Sequence, residues 1–105
     1  MIDAADTELV NLCNRVKEYL GRGKYKECMQ DICYSMYLYP DAPEPHNLMG
    51  ILLKKQKNHT GAIKHFRAAL DLDPSYLPAR ENMMDYARGG SSIPECRFCF
   101  ADCTD

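Results

Sequence analysis

Apolar residues recur along this chain three and four positions apart, and wherever they do the spacing predicts a helix. Leu9, Leu12, Cys13, Val16, Tyr19 and Leu20 form the first such stripe. It predicts a helix over 7–20, with Asp6 or Thr7 able to cap the first turn and Gly21 and Gly23 closing the last. A second stripe, with Tyr25, Cys28, Met29, Ile32 and Met36, predicts a helix over 25–37 that stops before Pro40. A third helix is predicted over 44–56. Pro43 and Pro45 suit its first turn, where the missing N–H has no partner to lose. Asn58 reads as a left-handed exit from it. His59 or Thr60 then opens a fourth helix that ends near Leu72, and a fifth is expected over 75–87 with Leu77, Met83, Met84 and Ala87 as its apolar positions. No stretch alternates with a period of two, so no strand is expected and the fold class is all-α.

The second and fourth helices are related by an offset of about 34 residues. Tyr25, Cys28, Met29, Ile32 and Ser35 stand before Pro40 as His59, Ala62, Ile63, Phe66 and Ala69 stand before Pro74. Gly50 is a small residue in the third helix. Ala62, Phe66, Ala69 and Pro74 give the fourth helix the order small, aromatic, small, proline. With that period and those residues, the chain resembles the tetratricopeptide repeat family. The first repeat departs from the pattern at three places: Ile32 stands where the aromatic belongs, Val16 in the small slot, and Arg15 in place of the large apolar residue before it. The resemblance implies a right-handed helical array over 7–88, with repeat one at about 9–42, repeat two at about 43–76 and a closing helix at about 75–88. Gly50 and Ala62 are expected where the third and fourth helices cross. Gly89, Gly90, Ser91 and Ser92 read as a linker, which leaves 89–105 as a flexible, cysteine-bearing tail.

The resemblance also implies a function. Such units stack into scaffolds that hold other proteins, with the first helix of each pair lining a concave groove. The groove positions it implies are Val10, Cys13, Lys17 and Leu20 on the first helix. Glu44, Asn47, Ile51, Lys54 and Lys55 follow on the third, and Glu81, Asp85 and Arg88 on the fifth. Only Lys17 and Asn47 lie near the places from which some members clamp a partner's terminal carboxylate, so no such clamp is expected. On the second helix, Cys33, Tyr34 and Tyr37 fall on an outer face that is normally polar in the family. That patch is open to three occupants: the chain itself, a second copy in weak homo-association, or a foreign partner.

Composition narrows the alternatives. Of 105 residues, 46% are hydrophobic and 27% charged, with a net charge of -2, so no strong field draws the chain to nucleic acid or anionic lipid. Lys54, Lys55, Lys57, Lys64 and Arg67 cluster near one turn but lack interleaved aromatics, so nucleic acid is not expected as a partner. No apolar run reaches the length of a membrane span, and the first residues lack the pattern of a signal peptide, so a cytoplasmic protein without membrane attachment is expected. Six cysteines then read as reduced thiols. Cys13, Cys28 and Cys33 fall on the helices as packing residues, while Cys96, Cys99 and Cys103 crowd the tail. Three thiolates at that spacing could reach a soft metal, but a fourth ligand is missing. No cofactor is therefore expected, and the sequence contains no paired nucleophile and base or phosphate-binding loop. The leading expectation is a non-enzymatic protein–protein interaction module for a protein or peptide partner. The alternative is a metal- or thiol-dependent sensor acting through Cys96, Cys99 and Cys103.

Overall fold

The computed structural model describes residues 4–87, 96–99 and 103. Five helices follow in order: α1 (Ala4–Gly21), α2 (Tyr25–Leu38), α3 (Glu44–Lys55), α4 (His59–Leu72) and α5 (Leu77–Ala87). No strand occurs among the described residues.

Local chemistry sets the ends. Gly23 takes φ +71° and turns the chain between α1 and α2, a conformation that costs glycine nothing. Pro43 and Pro45 open α3 as expected. The left-handed residue after α3 is Lys57, with φ +64°, and not Asn58. Asn58 instead caps α4, its side-chain oxygen accepting from Gly61 N at 3.0 Å. One residue earlier, the chain reverses on a lysine, which leaves the better capping side chain free to satisfy an orphan N–H. α5 starts at Leu77, later than expected. Asp73 holds Ser75 in a turn, its carboxylate accepting from Ser75 N at 3.0 Å and Oγ at 2.7 Å.

α3 lies at the centre, packing most closely on α4 and also on α2 and α1, while α4 carries α5. Leu12, Val16, Ile32, Leu48, Ile51, Leu52 and Phe66 are fully buried in one cluster. Phe66 lies directly over Gly50, and a Cβ at Gly50 would stand 2.5 Å from its ring. Gly50 therefore makes room for the Phe66 ring, and Ala62 is buried nearby in the same cluster. Complete burial of a side chain of this size is worth ~1.5–3 kcal/mol.

The first repeat solves the same problem with other volumes. Val16 and Ile32 occupy the positions equivalent to Gly50 and Phe66, and both are fully buried. A larger residue in the small slot is matched by a smaller one in place of the aromatic, so packing density is kept. Arg15 also finds a role. It donates to Asp31 on α2 through Nε at 2.7 Å and Nη2 at 3.1 Å, and to Glu8 at 2.9 Å. A two-pronged ion pair thus ties α1 to α2 where the second repeat uses apolar contact.

Three expectations change. Cys33 is exposed, while Cys13 and Cys28 are buried. Leu77 and Met84 face outward at 38% and 51% exposure, and Ala79 and Asn82 face inward instead. Tyr76, just before α5, is buried with Ala69 and Ala79 in a second small cluster. α5 therefore docks through Ala79 and Asn82 together with the partly buried Met83 and Tyr86, and its partner surface includes polar backbone from residues 96–99.

Candidate functional site

The odd-numbered helices present one continuous face. Cys13 and Lys17 lie one turn apart on α1, and Asn47, Ile51 and Lys54 follow the same spacing on α3. Glu81, Asn82 and Asp85 stand on α5. Residues 96–99, from the segment expected to be a flexible tail, lie against this face. Cys96 and Phe98 are 6% and 7% exposed, so this part of the chain is packed. The Phe98 ring sits under the Lys17 ammonium, which lies 5.4 Å from the ring centre.

The backbone of the segment is held by side-chain amides. Asn82 Nδ2 donates to Arg97 O at 2.8 Å, and Arg97 N donates back to Asn82 Oδ1 at 2.6 Å. One amide side chain thus pairs with both backbone groups of one residue, as a neighbouring strand would. Asn47 Nδ2 donates to the same Arg97 oxygen at 2.8 Å, and Asn82 Nδ2 also donates to Asn47 Oδ1 at 2.8 Å. The Cys13 thiol donates to Phe98 O at 3.1 Å. Asn47 and Asn82 are 0% and 3% exposed, and such deeply buried amides require partners of this kind.

The side chains of the segment meet charge and aromatic surface in turn. Arg97 pairs with Glu81 at 3.2 Å. Lys54 Nζ points at Cys96 Sγ, 3.8 Å away, and lies over the Tyr86 ring, 5.1 Å from its centre. Burial raises the Cys96 thiol pKa, and the adjacent Lys54 offsets part of that rise. Burial, reinforced by Cys99 and Glu44, pushes the Cys13 thiol up to about 12.

Of the residues the sequence assigned to a partner groove, Lys17, Asn47, Lys54 and Glu81 contact the segment directly. Asp85 is half-buried on the same helix as Glu81. Leu20 and Ile51 are buried in the core cluster beneath. Val10 is 53% exposed, and Lys55 is exposed as well. Arg88 lies outside the described residues. The residue that sequence reasoning missed is Asn82, which bonds to both main-chain polar atoms of Arg97. Its signal was an amide 35 residues after Asn47, one step out of the 34-residue register that selects Glu81.

The second candidate surface stays open. Tyr34 and Tyr37 are 61% and 79% exposed beside Cys33. Of the cysteines of the sensor alternative, Cys96 sits by Lys54, and Cys103 Sγ approaches Cys99 O at 3.8 Å. Among the described residues, no group of three His, Cys, Asp or Glu is placed to hold a metal ion. No helix among them is long and apolar enough to cross a membrane.

Residues 43–76 match the tetratricopeptide repeat family. This is the stretch with Gly50, Ala62, Phe66, Ala69 and Pro74, and repeats of this kind generally mediate protein–protein interaction. No solved structure matches the chain.

Proposed function

We propose that this chain, which belongs to the tetratricopeptide repeat family through residues 43–76, is a non-enzymatic protein-binding module. Its α1, α3 and α5 face takes a segment of a protein partner. The observation that carries this reading is the way the face already holds residues 96–99. Asn82 and Asn47 bond to main-chain atoms of Arg97, and those atoms are common to every peptide. Amides buried at the base of such a face favour a peptide main chain, because any occupant must satisfy them. Cys13 offers the face no ready nucleophile. Its thiol is pushed up to about 12, which keeps it protonated and a poor nucleophile. The module acts as an adapter or assembly scaffold in this reading.

The test uses the full chain carrying Arg97→Glu and Phe98→Ala, which empties the face, with helicity checked by circular dichroism. A displayed random-peptide library is panned on it, and on the same chain with Asn82→Ala added. Peptides recovered by the first and lost from the second support the proposal. Recovery of none, or of the same peptides from both, overturns it.

A further inference from the structure

We propose that residues 96–99 are a built-in occupant that spells the partner's chemistry: a basic residue followed directly by an aromatic one. This rests on the peptide-binding reading above and adds selectivity to it. The backbone bonds made by Asn47 and Asn82 are blind to sequence, so discrimination falls to the side-chain sites.

Each site has a definite character. The first is acidic. Glu81 lies 3.2 Å from the Arg97 guanidinium, and Asp85 adds a second negative charge one turn along α5, where it also acts on Arg97. An acidic residue at this place faces two like charges. The second site is an aromatic slot. Phe98 is 7% exposed and carries the Lys17 ammonium over its ring at 5.4 Å. An aliphatic residue of the same size lacks the negative ring face that attracts a cation. The position before the basic residue is small: Cys96 is 6% exposed beneath Lys54 and Tyr86. A larger side chain there displaces Lys54 from both its contacts. The signs of charge across the face are therefore complementary to small–basic–aromatic and to no simple reversal of it. Any partner with that sequence reaches these atoms only by displacing residues 96–99.

Two measurements on the full chain test this. In the first, the Arg97→Glu, Phe98→Ala chain is titrated with a fluorescent peptide of the 94–101 sequence in which both cysteines are serine. The peptide should bind, and replacing its arginine by glutamate or its phenylalanine by alanine should weaken binding by about tenfold. The unaltered chain should bind the same peptide several-fold more weakly, because its own segment competes. If all three peptides bind equally, the selectivity proposed here fails while the peptide-binding reading stands. If this peptide fails to bind and the library panning also recovers nothing, both fail. The second measurement needs no peptide. Maleimide labelling of Cys13 should accelerate several-fold in Arg97→Glu and return towards the original rate in Arg97→Glu, Glu81→Lys, where the pair is restored with its charges exchanged. Labelling of Cys13 unchanged by Arg97→Glu, or unrestored in the exchanged pair, overturns the acidic site.

Discussion

Replacing Gly50 by alanine should test how tightly the second repeat closes. Built on the Gly50 backbone, the new methyl would stand 2.5 Å from Phe66 Cε1, 2.7 Å from Cδ1 and 2.9 Å from Cζ. Carbon atoms settle at ~3.5–4.0 Å, so the ring must withdraw by about 1 Å. Phe66 is fully buried, and overpacking of this kind costs ~1–3 kcal/mol. Alanine returns ~0.8–1.0 kcal/mol through its better helix propensity. The net expectation is a loss of ~1 kcal/mol, which lowers the thermal midpoint of a domain this size by ~4–8 °C. Phe66→Leu alone should cost ~1–3 kcal/mol by leaving a cavity. Combined with Gly50→Ala, the methyl enters space the ring has vacated, so the two penalties should fall short of their sum by ~0.5 kcal/mol or more. That shortfall mimics the exchange of volumes already present at Val16 and Ile32. The assay is chemical denaturation followed by far-ultraviolet circular dichroism on the four chains of the cycle. A Gly50→Ala chain more stable by the full propensity gain, or strict additivity in the double variant, refutes the reasoning.

Three further outcomes are expected. With a thiol reagent under native conditions, the exposed Cys33 should react first, and Cys13 and Cys28, each buried and pushed up to about 12, should lag by orders of magnitude; rapid modification of all three counts against the packing described. Stability should fall as pH drops below about 6.5, because burial lowers the pKa of both His46 and His65 and the unfolded chain therefore binds protons first. The paired rings, with Nδ1 atoms 3.2 Å apart, also cannot both carry a proton there. Glu44, raised by burial, acts in the opposite sense in the carboxylate range, so the comparison is with a His46→Gln, His65→Gln chain, whose midpoint should change less between pH 7.5 and 5.5. Finally, the exposed Tyr34 and Tyr37 should support weak self-association in sedimentation at high concentration, and Tyr34→Ser, Tyr37→Ser should abolish it; a strict monomer in both cases removes that role.

The helices of both repeats were legible because their signals are local. Pro40, Pro74, Gly23 and the prolines opening α3 act on residues within one turn, and the stripes they bound are long. The departures at Arg15, Val16 and Ile32 were also visible in sequence, but their compensation was not, since it depends on Asp31 and on volumes brought together from two helices. The helix α5 and its inward Met83 were read correctly, but the rest of its buried face was missed for a related reason. A search for apolar stripes selects Leu77 and Met84, whereas this helix buries Ala79 and Asn82. An asparagine in a helix reads as a solvent-facing residue until the backbone it serves is known. That backbone is Arg97, 15 residues away, in a stretch with no periodicity of its own. Lys17, Asn47, Lys54 and Glu81, selected by the repeat register, all contact residues 96–99, and Asn82 lies one place off that register.

Residues 96–99 are covalently part of the molecule whose face they occupy. Their hold on it is an intramolecular equilibrium, indifferent to dilution, whereas a partner's hold rises with its concentration. The apparent affinity for a partner is the intrinsic one multiplied by the fraction of molecules with the face vacant. A face vacant in about one molecule in ten makes every partner seem about tenfold weaker while leaving their ranking untouched. If residues 96–99 act as the proposed occupant, weakly binding sequences fall below effective occupancy first, and only a tighter or more concentrated partner takes the face. In the proposed reading the same four residues set both a specificity and a threshold, and a substitution among them would shift the threshold without altering a single atom of the three helices beneath.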